Sequence, residues 1–273
     1  MAKELTIAFI GGGTMAEAIV AGVLEKRLAS SSSITVGDPV AQRQEYLKGR
    51  YGVQTTAENL SAIDGAQIVV LAVKPQQLGD VMVELQGRLA SSQAVLSIVA
   101  GATVESISRG LDHPVVIRVM PNTPAQVGQG MSVWTTAPEV SDGQRDVTRE
   151  MLKTLGEEIY VSEEKYLDMA TALSASGPAY VFLFLEALID AGVYLGLPRD
   201  MAQTLATQTL LGSAALAKES GKQHPAELRN MVTSPGGTTA EALLALEEAG
   251  FRGIIINAVI AAHEKAITLG QED

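Results

Sequence analysis

Residues 7–16 read Ile-Ala-Phe-Ile-Gly-Gly-Gly-Thr-Met-Ala, and this stretch decides the fold. The apolar run that ends at Ile10 predicts a buried strand, and the apolar residues that follow the glycines recur at helical spacing. The pattern Gly11-x-Gly13-x-x-Ala16 matches the dinucleotide-binding fingerprint with alanine in its third position. Gly11 permits a tight turn, Gly13 lets a pyrophosphate approach the backbone, and Ala16 lets the helix pack closely on the strand. The alternative is a glycine-rich turn in another kind of α/β protein, but the strand before and the helix after favour a nucleotide site.

Composition limits the classes of partner. The chain has 273 residues, is 47% hydrophobic and carries a net charge of −11. The length allows one large domain or two modest ones, and the acidic charge argues against nucleic acid and anionic membrane surfaces. There are no cysteines and only three histidines, which excludes disulfides and a cysteine nucleophile, and we expect no metal site. The first apolar run passes directly into the glycine turn, unlike a signal peptide, and we expect a cytoplasmic protein.

A second strand is predicted from Ile34 to Asp38. Asp38 follows the glycine turn at the spacing where an acid binds the ribose hydroxyls of adenosine. A carboxylate there favours NAD, because the 2′-phosphate of NADP would meet a like charge, although Arg43 can offset that charge. Asp38 before Pro39 is also typical of a helix N-cap. Both interpretations stay open.

Two later strands also end in candidate site residues. Residues 66–73 form a nearly continuous apolar run, typical of a strand covered on both faces, and Lys74 follows it. Ligands of open α/β sheets bind beyond the carboxyl ends of strands, so Lys74 is a candidate cofactor contact; the alternative is a surface lysine. The strand predicted at 115–120 ends in Pro121-Asn122-Thr123-Pro124, an irregular loop. Asn122 there either contacts the nicotinamide or substrate or forms a turn.

The alternation of strands and helices predicts an α/β fold, with a Rossmann-like, doubly wound and mostly parallel sheet. We place the domain end near Glu163, giving a dinucleotide-binding domain at residues 1–163 and an all-α dimerisation and substrate domain at 164–273. Further strands are predicted at 94–99, 131–136 and 158–161, and further helices at 42–51, 103–109 and 143–155.

No convincing strand is predicted after Lys165. Residues 179–195 are apolar on nearly all sides, and such a helix must be buried all round. The carboxyl-terminal helices of one chain can hardly bury it, so we expect an obligate homodimer with interleaved helical domains. Glu186 and Asp190 favour a buried helix over a membrane span. Helices are predicted at 166–173, 179–195, 199–219, 226–232, 240–249 and 251–269.

The segment Val232-Thr-Ser-Pro-Gly-Gly-Thr-Thr-Ala-Glu241 joins two of these helices. A glycine-rich turn followed by a helix N-terminus presents free N–H groups that suit a carboxylate. The alternative is that Thr238 or Thr239 simply caps the next helix. A loop predicted at 173–180 has a similar small, polar composition, and it forms either a site or a tight contact between helices.

The chain resembles the pyrroline-5-carboxylate reductases, the last enzymes of proline biosynthesis. The resemblance rests on FIGGGTMAEAI, LAVKPQ, RVMPNTPA, ALSASGPAYVF and VTSPGGTTAEAL, which extend from residue 9 to residue 243 in the family's order. It implies that the protein reduces 1-pyrroline-5-carboxylate to L-proline by hydride transfer from NADPH or NADH. Dimers of such enzymes often assemble further, commonly as a pentamer of dimers.

The resemblance also implies individual roles. Thr239 matches the hydroxyl residue that hydrogen-bonds the ring nitrogen, which makes it the candidate catalytic residue. Gly236, Gly237 and Thr238 match the residues that bind the substrate carboxylate. Other candidate substrate contacts are Ser234, Asn122 and Ser176. The candidate cofactor contacts are Ile10, Gly11, Gly12, Gly13, Thr14, Met15, Asp38, Asn59, Ala72, Val73, Lys74, Pro75, Ala100, Met120 and Pro121.

Two positions depart from the family pattern. The turn after the second strand is often rich in serine or contains an arginine that recognises a 2′-phosphate, but here it reads Gly37-Asp38-Pro39. This leaves the choice between NADH and NADPH open. Met231 stands where a polar residue is frequent.

The motifs contain no His or Cys. This suits a substrate that reacts as its protonated iminium, so that the protein supplies orientation and one hydrogen bond.

Two other functions compete with this interpretation. A β-hydroxyacid dehydrogenase would share the glycine motif, but it needs a Lys-x-x-x-Asn pattern after the sheet, and Met169 stands four residues after Lys165. A non-catalytic nucleotide sensor would not need the segment at 232–241.

Overall fold

An eight-stranded sheet forms the framework of the computed structural model, which describes residues 4–270. In the sheet the strands lie in the order β3-β2-β1-β4-β5-β6-β7-β8, and every neighbouring pair is parallel except β6 with β7. This confirms the predicted mostly parallel, Rossmann-like sheet. The strands are β1 (Ile7–Ile10), β2 (Ile34–Gly37), β3 (Gln54–Thr56), β4 (Ile68–Leu71), β5 (Ala94–Ser97), β6 (Val116–Met120), β7 (Gly130–Thr136) and β8 (Gly156–Tyr160).

The strand order reverses beside β1. The chain moves outward from β1 to β2 and β3, and then returns to the other side of β1 with β4. All residues of β1, β4 and β5 are buried, as expected for parallel strands covered on both faces. Ile10 at the end of β1 pairs with Gly37 on one side and with Leu71 on the other. A crevice for a ligand is therefore expected beyond these three strand ends.

Helices follow most of the strands. The helix α1 begins directly after the glycines, and α5 and α6 begin with capping boxes at Thr103 and Ser141, each completed by a side chain three residues later. These caps satisfy N–H groups that a helix start leaves free. The helices are α1 (Thr14–Glu25), α2 (Ala41–Tyr51), α3 (Asn59–Ile63), α4 (Pro75–Leu85), α5 (Val104–Leu111), α6 (Asp142–Lys153) and α7 (Lys165–Ala170).

The sequence did not predict β3 and α3. The strand β3 has three residues, Gln-Thr-Thr, none of them buried, and it pairs only with β2 at the edge of the sheet. Its pairing comes from tertiary contact with β2, since a short polar segment lacks the apolar alternation that signals a strand. The helix α3 has five residues, which is too short for a helical repeat to emerge.

Two predicted loops also contain helical turns. The segment at 173–180 was predicted as a loop, but it passes from a π-helical turn, Thr171–Ala175, into a helix that begins at Gly177. Proline is compatible with the first turn of a helix, so Pro178 does not interrupt it. The loop after β6 contains a 3₁₀ helix, Thr123–Val127, with Pro124 in its first turn.

A buried arginine joins β6 to α7. The side chain of Arg118 is 4% exposed, and it lies 2.8 Å from Glu164 Oε1 and 2.9 Å from Asp168 Oδ1. Glu164 Oε1 also accepts a hydrogen bond of 2.8 Å from the N–H of Val104 at the start of α5. Because a buried charge must be paired, this network fixes α7 against the sheet.

The chain forms two compact units. One comprises the residues up to 176 together with those from 262 onward, and the other comprises residues 177–261. After β8 the described chain contains helices joined by turns and no strand, as predicted. Its helices are α8 (Gly177–Tyr194), α9 (Arg199–Glu219), α10 (Pro225–Met231), α11 (Thr238–Glu248) and α12 (Phe251–Leu269).

The helix α8 exposes apolar side chains. It contains no buried residue, and Phe182 and Leu183 are 61% and 68% exposed. It packs on α9, where Gly192 lies close to Ala202, and the rings of Phe184 and Phe251 lie 6.1 Å apart. By length and composition alone, the helical stretch Lys165–Tyr194 would be able to cross a membrane. A single chain therefore leaves uncovered the apolar surface that the sequence predicted to be buried on all sides.

Candidate functional site

The turn between β1 and α1 requires glycine at residue 11. Gly11 has φ of +95°, and a Cβ placed on it would lie 2.7 Å from the carbonyl oxygen of Ala72. Its N–H donates to the carbonyl oxygen of Gly37 over 2.7 Å. The first glycine therefore holds the turn against the ends of β2 and β4, which leaves no room for a side chain.

Gly13 faces open space. It is the N-cap of α1, and a Cβ placed on it would have no heavy atom within 4 Å. Among the described residues, the N–H groups of Gly13, Thr14 and Met15 have no hydrogen-bond acceptor. Three free donors at a helix start, beside a position open to close approach, fit a pyrophosphate.

Asp38 holds the glycine loop from the end of β2. Its Oδ2 accepts a hydrogen bond of 2.9 Å from the N–H of Gly12, and its Oδ1 accepts one of 2.9 Å from the N–H of Val40. The predicted N-cap role is wrong, because the N-cap of α2 is Val40. The side chain instead reaches back to the glycine loop and ties β2 to it. A carboxylate has about four lone-pair directions, so both oxygens retain capacity for ribose hydroxyls.

Arg43 supports the same loop from the outer side. Its Nε donates to the carbonyl oxygen of Gly12, and its Nη2 lies 3.4 Å from the carbonyl oxygen of Gly13 and 2.6 Å from Glu17 Oε2. Its guanidinium also lies over the ring of Tyr46, 5.0 Å from the centroid. Arg43 is therefore already engaged with the loop and with the first turn of α1.

Glu17 joins the side chains of Arg43, Tyr46 and Tyr51 into one cluster. Besides Arg43, it accepts hydrogen bonds from the hydroxyls of Tyr46 over 3.0 Å and of Tyr51 over 2.8 Å. Burial raises the pKa of Glu17, but the hydrogen bonds from Arg43, Tyr51 and Tyr46 and the charge of Arg43 outweigh burial and hold that pKa below its ordinary value. Glu17 thus stays ionised at neutral pH, and it pairs with Arg43 rather than leaving the guanidinium free.

The other predicted cofactor residues line the same edge of the sheet. Asn59 begins α3, and its Oδ1 would lie 3.1 Å from a Cβ on Gly37, which places it beside the end of β2. Its Nδ2 donates to Glu84 over 2.7 Å. Lys74 is exposed and caps α4, without a side-chain partner among the described residues. The remaining predicted residues at these strand ends are Ile10, Ala72, Val73, Pro75, Ala100, Met120 and Pro121.

The end of α12 contacts the loop after β5. Gly101 has φ of +84°, and a Cβ placed on it would lie 3.0 Å from the carbonyl oxygen of Leu269. The sequence did not predict this contact, which places the last turn of α12 next to Ala100. The glycine is needed for both the backbone conformation and the close approach.

Asn122 is satisfied by structural hydrogen bonds. Its Nδ2 lies 3.2 Å from the carbonyl oxygen and 3.3 Å from the hydroxyl of Ser174, and its Oδ1 accepts from the N–H of Met131 over 2.8 Å. It therefore links the loop after β6 to the π-helical turn, which favours the structural interpretation. Ser176, directly after that turn, is half-buried. Substrate contact by Asn122 and Ser176 stays a prediction.

The second unit contains the bend between α10 and α11. The N–H of Gly237 donates to the carbonyl oxygen of Ser234 over 3.1 Å, and Gly236 has φ of +66°. Together with Pro235, these features define a type II turn. Gly237 is the N-cap of α11, without a side-chain cap, so the prediction that Thr238 or Thr239 caps the helix is wrong.

This bend leaves backbone donors free. The N–H of Gly237 is used inside the turn, whereas those of Thr238 and Thr239 have no acceptor among the described residues. The side chain of Thr239 is half-buried and likewise has no partner there. The predicted anion-binding bend therefore offers the N–H groups of Thr238 and Thr239, and the role predicted for the N–H of Gly237 competes with the turn.

Sequence reasoning missed the residues that support the loop. An acidic residue such as Glu17 is common in the first turn of a helix, because it interacts favourably with the helix dipole. The sequence separation between Glu17 and Arg43 gives no sign that they form a pair. Arg118 was also missed, although one arginine within the apolar strand Val116–Met120 is a visible sign of a buried ion pair.

The glycine loop with free N–H groups at the start of α1, together with the acidic end of β2 at the strand reversal, is typical of a Rossmann-type, nucleotide-dependent oxidoreductase. A pyrroline-5-carboxylate reductase of Synechocystis sp. is 42% identical to the chain over 269 residues, which cover 98% of this chain and 100% of the relative. The chain belongs to the pyrroline-5-carboxylate reductase family.

Family models and solved structures agree with this assignment. Residues 164–269 match the model described as pyrroline-5-carboxylate reductase dimerisation, and residues 6–101 match the one described as NADP oxidoreductase coenzyme F420-dependent. A pyrroline-5-carboxylate reductase structure from Coxiella burnetii has a TM-score of 0.89 at 37% identity, covering 98% of this chain and 99% of that chain. A Plasmodium falciparum pyrroline carboxylate reductase with NADP bound has a TM-score of 0.89 at 31% identity, with the same coverage.

Proposed function

We propose that the protein reduces 1-pyrroline-5-carboxylate to L-proline with NADH or NADPH, as the last step of proline biosynthesis. The observation that carries the proposal is the bend at 234–239. Within residues 4–270, the N–H groups of Thr238 and Thr239 and the hydroxyl of Thr239 have no partner, and they suit a ring that bears a carboxylate beside an imine. Family membership over nearly the whole chain supports the same substrate.

The first unit would hold the nucleotide. The N–H groups of residues 13–15 would bind the pyrophosphate, and Asp38 and Asn59 would face the adenosine ribose. When bound, the nicotinamide supplies the hydride that reduces the C=N bond. The strand ends at 72–75, 100 and 120–121 would line the rest of the nucleotide.

The bend of the second unit would bind the substrate. The N–H groups of Thr238 and Thr239 would hold the carboxylate, and Gly236 and Gly237 would let it approach the backbone. The hydroxyl of Thr239 would hydrogen-bond the ring nitrogen, and Ser234 would lie beside it. Since the imine can react in its protonated form, this site needs no strong general acid. Thr239 then keeps the nitrogen in place while its charge is lost.

The functional unit would be an oligomer. A helical region that matches a dimerisation model and leaves α8 exposed supports a homodimer formed through residues 164–273, with residues 1–163 as the nucleotide-binding domain. We extend the proposal to a pentamer of dimers in the cytoplasm. Light scattering after size exclusion should give a dimer or a multiple of it. Leu183→Glu should break the dimer, whereas Val83→Glu, at an exposed position of α4, should not.

The activity test follows the loss of nicotinamide absorbance with pyrroline-5-carboxylate and each nucleotide. Thr239→Ala should lower kcat/KM by about 10- to 100-fold, because one positioned hydrogen bond is lost. Thr239→Ser keeps the hydroxyl and should recover most of that loss. If Thr239→Ala kept the kcat/KM of the wild type, Thr239 would have no part in the reaction. If the wild type did not consume the substrate, the proposed function would be wrong.

A further inference from the structure

Two side chains of opposite charge, Asp38 and Arg43, lie near the end of β2, and only Asp38 is free to bind a nucleotide. The carboxylate of Asp38 has two backbone partners and retains lone pairs for ribose hydroxyls. Arg43 is held at the same loop, and its Nε and Nη2 are occupied by the carbonyl oxygens of Gly12 and Gly13 and by Glu17. In Rossmann proteins an acid at this place binds the ribose of NAD, and an arginine nearby accommodates the 2′-phosphate of NADP.

The ion pair with Glu17 keeps Arg43 from binding a 2′-phosphate. The Nη2–Oε2 distance of 2.6 Å is that of a strong charge-assisted hydrogen bond, and Arg43 is only 25% exposed. The stack of the guanidinium on Tyr46 and the hydrogen bonds from Tyr46 and Tyr51 to Glu17 hold both partners of the pair. Turning Arg43 toward a 2′-phosphate would break this pair. It would leave the carboxylate of Glu17, which is 19% exposed, with only the longer contact of 3.8 Å to Nε of the exposed Arg50, which is costly.

We propose that Glu17 is a positioning residue for nucleotide choice, which makes this chain select NADH by keeping Arg43 on the glycine loop. Asp38 then meets a ribose hydroxyl rather than a phosphate of like charge. The proposal rests on the proposed use of a nicotinamide nucleotide, but not on the identity of the substrate.

The test measures dissociation constants of NADH and NADPH without substrate, by nucleotide fluorescence. The wild type should bind NADH more tightly. Glu17→Gln keeps an acceptor for the tyrosine hydroxyls but removes the charge that holds Arg43, and it should tighten NADPH binding by about tenfold with NADH nearly unchanged. The matched control is Glu25→Gln, the same change at the exposed other end of α1.

A second arginine variant separates positioning from general electrostatics. Arg43→Met should not weaken NADPH selectively in the wild-type background, because Arg43 does not serve the phosphate there. In the Glu17→Gln background it should abolish the gain in NADPH affinity. A loss of folding in either variant would be detected by circular dichroism, and Arg43→Lys in the Glu17→Gln background then provides the alternative readout, since it should retain part of the gain.

Three results would overturn the proposal. They are a wild type that prefers NADPH, an unchanged ratio of the two constants in Glu17→Gln, or a selective loss of NADPH binding in Arg43→Met alone. A protein that binds NADH selectively but does not reduce pyrroline-5-carboxylate would leave this proposal intact and would refute only the proposed function.

Discussion

The glycines at residues 11 and 13 should fail in different ways when each is replaced by alanine. At Gly11 the new Cβ would lie 2.7 Å from the oxygen and 2.9 Å from the carbon of the Ala72 carbonyl, and φ is +95°. At Gly13 no atom lies within 4 Å of the new Cβ, and the backbone is extended, with φ of −66° and ψ of −178°. The first substitution is therefore strained and obstructed by backbone, whereas the second is neither.

The magnitudes follow from these two environments. Left-handed backbone costs an alanine about 1–2 kcal/mol, and overpacking against atoms that cannot move away adds about 1–3 kcal/mol. Gly11→Ala should thus lose about 2–5 kcal/mol of unfolding free energy, or about 5–15 °C in Tm. Gly13→Ala should lose at most about 1 kcal/mol, the cost of alanine at an N-cap.

Gly13→Ala should lose nucleotide affinity although it keeps most of its stability. The Cβ of Gly13→Ala occupies the space through which a pyrophosphate approaches, so this variant should fold normally yet bind NADH at least about tenfold more weakly. Differential scanning calorimetry at a fixed protein concentration measures the first quantity, and NADH fluorescence measures the second. Wild-type affinity in Gly13→Ala, or equal Tm values for the two variants, would refute this reasoning.

Three further predictions concern charge and backbone. Arg118→Met should destabilise the protein by about 2–4 kcal/mol in urea unfolding, because it removes a buried ion-pair partner, whereas Arg109→Met at an exposed pair should cost less than about 0.5 kcal/mol. Although burial raises it, the hydrogen bonds from Arg43, Tyr51 and Tyr46 hold the folded-state pKa of Glu17 below its ordinary value. The stabilisation by Glu17 is therefore present above the ordinary pKa of a glutamate, and it is lost as the pH falls through the folded-state pKa. The difference in unfolding free energy between the wild type and Glu17→Gln should shrink there, and a constant difference would contradict the cluster. Gly236→Ala meets no atom but has φ of +66°, so it should raise the KM for pyrroline-5-carboxylate severalfold by deforming the turn, with NADH binding unchanged.

The long elements of this chain could be predicted because their apolar patterns are long and the sequence marks where they begin. The helices α9 and α12 begin and end at the predicted residues, since Pro198 precedes one and Gly250 precedes the other. The apolar runs of β1 and β4 are equally distinct. In contrast, β3 exists only because β2 offers it a partner, and no local property of Gln-Thr-Thr reports that partner.

The candidate site could be predicted at the level of motifs but not of contacts. The fingerprint correctly located the turn, yet it did not indicate that the N–H of Gly12 would be bound by Asp38 or that Arg43 would be bound by Glu17. Both pairs join residues about one βα unit apart, and their geometry depends on how α1 and α2 pack beside β2. The dinucleotide-binding fingerprint predicts an acid at Asp38, but it does not show whether its carboxylate is already hydrogen-bonded within the protein.

The carboxylate of Asp38 therefore has two roles, and a substitution at this position changes both. It is the acceptor for the N–H of Gly12, which keeps the loop in shape, and it presents a carboxylate to the place where a ribose would lie. A smaller residue at position 38 would remove the like charge that opposes a 2′-phosphate, but it would also leave that N–H unsatisfied and loosen the loop that binds the pyrophosphate. In the described part of the chain the carboxylate of Glu17 makes no hydrogen bond to the backbone of the loop; it is linked to the loop carbonyl oxygens through Arg43. We therefore expect a change at Glu17 to alter nucleotide preference while the N–H of Gly12 keeps its acceptor, whereas a change at Asp38 alters nucleotide preference and removes that acceptor together.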